Sequence, residues 1–178
     1  MFLEQKGEMA QTALQFRLPR FGEIPNVGLY LEQVSKYISE YLEQLGMGAV
    51  TGSMISNYVK KGLVSNPQKK QYNREQIARL MFVSVAKTVL RIEDIGLLIS
   101  LHEGVYELGV AYDYFCMEFE NVLQYVFGTK DDLDTVGSSH SDEKMVLRTA
   151  IIAVAHKVYL DKCFDVLNGR TSFKKDGR

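Results

Sequence analysis

The sequence predicts a mostly α-helical chain in which a helix-turn-helix unit is followed by a helical C-terminal region. Apolar residues make up 46% of the 178 residues, enough for a packed core. All three prolines lie within the first 67 residues, so no proline interrupts helices beyond them. Apolar residues also recur at helical spacing in several long segments.

Residues 1–25 are weakly patterned and predict an N-terminal arm with a short helix around Glu8–Phe16. The first strong helix is predicted after Pro25, with Asn26 as its N-cap and Gly46 as its C-cap. The apolar face of this helix consists of Tyr30, Val34, Tyr37, Ile38, Tyr41, Leu42 and Leu45.

A second, short helix is predicted over residues 51–61, capped by Thr51 or Ser53 and ended by Gly62. Its inner stripe holds Met54, Ile55, Tyr58 and Val59, and its outer stripe holds Ser53, Ser56, Asn57 and Lys60. The following segment, residues 63–72, has apolar ends and a polar middle, which predicts a small β-hairpin or a loop.

Asn73 and Gln76 resemble a capping box and predict a third helix that runs to about Leu90. Apolar residues on two sides of that helix predict that it is buried on both. A fourth helix is predicted over residues 92–102, where two acidic residues suit the positive end of the helix dipole.

The last third of the chain is also predicted to be helical. Residues 105–127 contain seven aromatic residues, and the polar segment 130–141, with Gly137–Ser139, is the best loop candidate. Ser141 or Asp142 opens a final helix that runs to Asn168 and is about 40 Å long. A helix of this length predicts packing against a partner.

Charge is distributed unevenly along a chain whose net charge is −1. Residues 50–91 carry eight Lys or Arg and one acidic residue, whereas residues 92–135 carry one Lys and ten acidic residues. Such asymmetry is typical of proteins that contact nucleic acid or a membrane. No membrane-helix pattern or signal peptide is recognisable, so we expect a cytoplasmic protein with no membrane partner.

The sequence contains no catalytic motif. It has no Gly-x-Ser-x-Gly, no phosphate-binding glycine loop and no His-Glu-x-x-His, so we expect neither enzyme activity nor a cofactor. Cys116 and Cys163 are too few for a disulfide framework. They are either a redox pair or, as is more usual, two small buried hydrophobes.

Two acidic features have both a functional interpretation and a simpler one as solvated surface. His102, Glu103 and Glu107 are candidate metal ligands on one helix face, although a solvated helix start is the simpler interpretation. The acidic block from Glu93 to Asp134 is either a cation site or a solvated face that repels phosphate.

The basic segment gives the strongest functional signal. A helix, a Gly-containing turn and a second helix form the arrangement whose second helix enters the DNA major groove. Asn57 can pair with an adenine edge, serine hydroxyls allow close approach, and cationic side chains neutralise phosphates. The predicted DNA-contacting residues are Ser53, Ser56, Asn57, Lys60, Lys61, Lys69, Lys70 and Arg74. A polar solvated helix face is the alternative.

Residues 50–101 resemble the MerR-type winged helix-turn-helix. The run Ile55–Val64 resembles the recognition helix and its Gly-Leu exit, and Lys70-Gln71-Tyr72 resembles the basic-x-Tyr that closes the wing. Leu90–Ile95 resembles the start of a later helix. The resemblance implies that Tyr58 and Tyr72 present hydroxyls to phosphate; the alternative is that both rings pack beneath the wing.

Two features depart from the MerR pattern. Ser56 stands where those proteins usually have Arg, and the C-terminal third has two long helices instead of one coiled-coil helix, so that dimerisation mechanism does not carry over. The wider chain is similar to a bacterial family, domain of unknown function 1836. The matching pieces are Ile24-Pro25, Leu29–Val34 and Tyr58–Gly62.

These observations predict an arm at 1–25, a MerR-like winged helix-turn-helix domain at 26–101 and a helical region at 102–178. The predicted function is transcriptional regulation through double-stranded DNA, whose major groove the 51–61 helix reads. A winged-helix protein-interaction module that binds an acidic partner is the alternative. The C-terminal region is predicted to form a homodimer. It holds either a plain core or a small-molecule effector pocket, lined by Tyr106, Tyr112, Phe115 and Phe119.

Overall fold

The computed structural model describes residues 2–136 and 141–170 and is mostly helical. The predicted glycine–serine segment Gly137–Ser139 lies outside the described residues. The helices are α1 (Phe2–Gln15), α2 (Leu31–Leu42), α3 (Gly52–Lys60), α4 (Arg74–Ala86), α5 (Ile92–His102), α6 (Leu108–Val126) and α7 (Asp142–Leu167). Two short strands, β1 (Leu29–Tyr30) and β2 (Gln71–Tyr72), pair antiparallel, with Leu29 opposite Tyr72.

No helix in the described part of the chain is both long and apolar enough to span a membrane.

The N-terminal segment, predicted as an arm with a short helix, packs against α6 and α7 through α1 and the residues that follow it. α1 is longer than the predicted helix and buries Met9 and Ala13. Phe16, just after α1, meets Phe119 of α6 edge to face, with ring centroids 5.9 Å apart. The weak sequence pattern forms a helix here because tertiary packing, more than local propensity, stabilises helices in proteins.

An ion pair secures the chain after α1. The guanidinium of Arg20 donates to both carboxylate oxygens of Glu120, at 2.7 and 2.6 Å. The Leu18 N–H donates to the same carboxylate at 2.9 Å. A bidentate arginine–carboxylate pair adds geometric specificity to its strength, so it sets how this segment lies on α6.

α2 begins later than predicted, because the residues before it form β1. Tyr30 is the N-cap in place of Asn26, and its N–H donates to Gln33 Oε1 at 2.9 Å. Val34, Ile38 and Leu42 form the buried face, as the periodicity predicts. A 3-10 turn extends α2 to Leu45, and Gly46, with φ 72°, ends it as predicted.

The core continues through α4, α6 and α7. α4 is buried on two sides as predicted, but it ends at Ala86, four residues earlier than the predicted Leu90. Aromatic residues join these helices in the core: Phe82 meets Phe115 at 5.1 Å, and Phe127 meets Tyr159 at 5.1 Å. α7 starts at its predicted cap, Ser141, and buries one face within the chain.

Candidate nucleic-acid interface

Polar contacts with α2 hold the start of α3 in place. Thr51, one of the two predicted caps, accepts a hydrogen bond from the Met54 N–H at 3.2 Å. The hydroxyls of Ser35 and Ser39 donate to the Val50 carbonyl at 2.5 and 3.3 Å. The Val50 N–H in turn donates to Ser39 Oγ at 2.9 Å. These bonds join α2 to the loop that leads into α3.

α3 presents one face to the core and the other to solvent, as predicted, but Met54 of the predicted inner stripe is 37% exposed and belongs to the exposed side. Ile55 and Tyr58 are buried, with 0% and 2% of their surface exposed. The exposed face carries Ser53, Ser56, Asn57 and Lys60. Within the described residues, these four side chains take part in no hydrogen bond or ion pair, so they are free to meet a ligand.

A glycine turn ends α3. Gly62 has φ 76°, a left-handed conformation that favours glycine, and its N–H donates to the Val59 carbonyl at 2.9 Å. The Leu63 N–H donates to the Tyr58 carbonyl at 3.0 Å. The turn leaves Lys61 exposed and directs Leu63 into the core.

For the segment after this turn the sequence predicted a hairpin or a loop. The structure has a minimal hairpin there, closed by a single antiparallel bridge, and β2 pairs with β1. Gln68 and Gln71 exchange backbone hydrogen bonds at 3.0 and 2.8 Å across a two-residue turn. The central residues Lys69 and Lys70 are both left-handed, with φ 49° and 64°. Both lysines are exposed at the tip. Two-residue turns of this shape normally hold Asn-Gly or Asp-Gly.

Gln76 positions the hairpin. It forms the predicted capping box, since its N–H donates to Asn73 Oδ1 at 2.9 Å and its Oε1 accepts from the Asn73 N–H at 2.8 Å. Its amide nitrogen also donates to the carbonyls of Ser65 and Asn66, at 3.0 and 3.1 Å. The capping pattern was the only sequence signal at Gln76, and it does not reveal this second role.

Three predicted contact residues are placed differently from the prediction. Tyr58 and Tyr72 are buried, and burial raises the pKa of both hydroxyls. Burial of both rings agrees with the alternative to phosphate contact. Arg74 donates to the carbonyls of Ile24 and Gly22, at 2.9 and 3.4 Å. Its guanidinium is therefore occupied by the N-terminal segment.

The remaining predicted residues lie on α3, on the turn after it and on the hairpin tip. We call them the basic surface: Ser53, Ser56, Asn57, Lys60, Lys61, Lys69 and Lys70. No acidic residue occurs between Glu43 and Glu75, so the stretch that carries the basic surface has no negative side chain. Exposed cations attract polyanions. Lys61 differs from the other three lysines, since it lines a surface groove together with Glu93 and Glu103.

Comparison with protein families gives one match. The family model described as Domain of unknown function (DUF1836) covers residues 19–115, more than half of the chain. The chain belongs to the DUF1836 family. The matched range contains the whole basic surface and ends within α6. No curated protein and no solved structure matches the chain.

In this DUF1836 protein several carboxylates of the acidic block contact other parts of the chain. Glu120 pairs with Arg20, and Asp113 accepts a hydrogen bond from the Phe21 N–H at 2.7 Å. The buried Glu118 carboxylate lies 2.9 Å from Arg148 Nε but has no well-aligned hydrogen bond within the described residues. Burial raises the pKa of Glu118, and Arg148 partly opposes this. These acids hold helices together, a role that neither interpretation of the block included.

Neither the metal hypothesis nor the redox pair gains support. Within the described residues, no group of three or more His, Cys, Asp or Glu is arranged to hold a metal ion. Cys116 is buried, and its thiol donates to the Pro19 carbonyl at 3.7 Å. Burial raises the pKa of this thiol to about 12. Cys163 is a free, half-buried thiol on α7, so the two cysteines are not joined by a disulfide.

The helices of this DUF1836 protein form a partly open cavity of about 170 Å³ between α4, α5 and α6. Three of the four residues predicted for an effector pocket line it: Tyr106, Tyr112 and Phe115. The fourth, Phe119, lies outside the cavity lining and stacks on Phe115 at 6.0 Å in the core.

Proposed function

We propose that this protein is a DNA-binding transcriptional regulator whose residues 26–101 act as a MerR-like winged helix-turn-helix. In this proposal α2 and α3 are the two helices of the motif, and the hairpin with Lys69 and Lys70 at its tip is the wing. The observation that carries the proposal is the basic surface, an exposed face of α3 next to four lysines in a stretch without acids.

The exposed residues divide by role. α3 enters the major groove, where the Asn57 amide pairs with a base edge and Ser53 and Ser56 allow close approach. The lysines neutralise phosphates and contribute affinity with little sequence preference. Tyr58, Tyr72 and Arg74 act in this proposal by supporting the surface from beneath or from the side.

The hairpin tip gives a second argument. A left-handed backbone costs non-glycine residues free energy, and Asn-Gly would suit this turn better than Lys69-Lys70. A local conflict of this kind is expected where a residue serves function rather than stability. Phosphate contact by two adjacent lysines supplies that function.

A homodimer remains part of the proposal. The support for it is now the outward face of α7, since most of the aromatic residues of α6 are used within the chain. That face carries four large apolar residues, each between 44% and 65% exposed: Val146, Leu160, Phe164 and Leu167. A dimer reading DNA symmetrically requires a palindromic site with half-sites about one helical turn apart, or a multiple of that. Light scattering at high concentration tests this, and a clean monomer mass contradicts it.

Selection of bound duplexes from a random DNA pool, followed by binding measurements against salt, tests DNA recognition. Lys69→Ala and Lys70→Ala should each weaken binding to all sequences and lower the slope of log K against log salt by about one unit. Lys6→Ala removes an exposed lysine from α1, outside the basic surface, and serves as the control.

Asn57→Ala provides the matching test of sequence readout. It should cost about 1–3 kcal/mol on the selected site and relax preference at one base pair, while the salt slope stays the same because no charge is lost. If neither hairpin lysine affects affinity or slope, the basic surface does not contact DNA. The protein-interaction module with an acidic partner then becomes the better explanation.

A further inference from the structure

The cavity between α4, α5 and α6 has a mostly apolar wall. Phe82 from α4, Leu98 from α5, and Tyr112 and Phe115 from α6 line it. Its volume of about 170 Å³ is close to that of an apolar protein cavity of about 150 Å³ that holds one benzene ring. The space therefore fits a single six-membered ring with a small substituent.

One side of this cavity carries a cation with spare hydrogen-bonding capacity. Arg79 lines the cavity, and its side chain is only 26% exposed. Its Nη1 donates to one oxygen of Glu103 at 2.6 Å, and this is its only hydrogen bond within the described residues. A guanidinium has five N–H donors, so most of them are unused.

Glu103 is a weak competitor for that guanidinium. Its side chain is 54% exposed, it lies at the end of α5, and it contacts Arg79 through a single oxygen. An exposed ion pair of this kind contributes little free energy. A ligand carboxylate in the more protected cavity could form the two-pronged pairing that arginine favours.

We propose that this cavity binds a small aromatic carboxylate, with its ring among Phe82, Tyr112 and Phe115 and its carboxylate on Arg79. The apolar wall selects the ring, the volume matches one ring, and the free guanidinium donors select the acid over a neutral analogue. This inference rests on the cavity and is independent of DNA binding.

Isothermal titration calorimetry with benzoate and with its neutral analogue benzyl alcohol tests the assignment on the full chain. The wild type should bind benzoate about tenfold more tightly than benzyl alcohol. Arg79→Gln should weaken benzoate about tenfold and leave benzyl alcohol unchanged. Glu103→Gln should strengthen benzoate binding, because it removes the competing carboxylate.

A larger side chain that fills the cavity tests whether the two probes bind there. Ala111 lines the cavity from α6, and Ala111→Leu should abolish binding of both probes. Thermal melting reports whether the variant folds, and if it does not, the smaller change Ala111→Val should weaken both probes. Absence of saturable benzoate binding up to about 10 mM overturns the proposal. Equal wild-type affinity for the two probes overturns the carboxylate assignment, and binding that persists in the folded Ala111→Leu variant overturns the location.

Discussion

The basic surface and the contact between the N-terminal segment and α6 use charge in opposite ways. Lys60, Lys61, Lys69 and Lys70 are exposed and, within the described residues, unpaired. Arg20 and Glu120, by contrast, are only 23% and 14% exposed and share two hydrogen bonds. Lys60, Lys61, Lys69 and Lys70 lie in a block rich in positive charge, and Glu120 lies in a block rich in negative charge, so the sequence alone does not show which of these charges is paired.

The difference shows which charges are available for binding. A charge that is paired and shielded contributes to the fold, and removing one partner leaves the other uncompensated. An exposed, unpaired charge contributes little to folding and can be lost without damage to the fold. The net charge of a segment therefore predicts a binding surface only after its internal pairs are removed.

Phe16→Ala should produce the largest effect of the predictions that test this comparison. Phe16 is 4% exposed and packs on Phe119, so truncation should lower the free energy of unfolding by about 3–5 kcal/mol. Urea unfolding followed by circular dichroism measures the change. Met54→Ala, on the exposed side of α3, is the control and should cost less than about 1 kcal/mol. A Phe16 effect as small as the control would show that this packing contributes little to the stability of the fold.

Glu118→Gln should alter the pH dependence of stability. The fold raises the pKa of Glu118 above its ordinary value of 4.5, so the folded state holds this proton more tightly than the unfolded chain does. Its ionisation therefore destabilises the protein as pH rises above that ordinary value. The glutamine variant should lose less stability between about pH 5 and about pH 8, measured by urea unfolding.

Asp132→Asn separates burial from net charge in that experiment, because it removes the same charge from an exposed position. If both variants change the pH dependence equally, the effect belongs to the net charge of the chain, and Glu118 has no special role.

The smallest effect is expected at the hairpin tip. Lys69→Asn combined with Lys70→Gly fits the left-handed turn and should raise the free energy of unfolding by roughly 0.5–1 kcal/mol. If the basic surface binds DNA, the same variant should bind duplexes more weakly, because two charges are lost. Thermal melting and a binding titration on one preparation measure both quantities.

Lys61→Ala is the companion variant for the hairpin tip, since it removes a charge from a residue with ordinary backbone geometry. It should weaken DNA binding without the gain in stability. A double variant that is no more stable than the wild type would show that the turn carries no strain.

Much of the local structure was predictable from the sequence. The bounds of α5, the Thr51 and Ser141 caps and the Asn73–Gln76 capping box agree with the structure. Two boundaries were not predictable, for different reasons. α2 starts five residues after the predicted cap because β1 pairs with β2, more than forty residues away along the chain. α4 ends early because the chain turns after Ala86. The apolar spacing of the sequence continues beyond this turn, so the spacing alone predicts a longer helix.

For the candidate site, the sequence identified the exposed residues of α3 and the hairpin lysines. It could not decide whether Tyr58 and Tyr72 face outward, because an aromatic ring with a hydroxyl suits both a core and a phosphate contact. It also predicted Arg74 as an exposed DNA contact. The Arg74 guanidinium instead binds the backbone carbonyls of Ile24 and Gly22, and a pattern of residue types cannot indicate a bond to a distant backbone carbonyl.

The sequence by itself determined the mostly helical class, the caps of α3, α4 and α7, the two-faced α3 and the acid-free stretch that carries the basic surface. These properties depend on residues within a few positions of one another. Only the tertiary structure decided that the N-terminal segment is part of the core, that the acids of α6 are structural, and that a cavity lies beside Arg79. Those outcomes depend on groups such as Leu18 and Glu120, which are 102 residues apart and meet only when the chain folds.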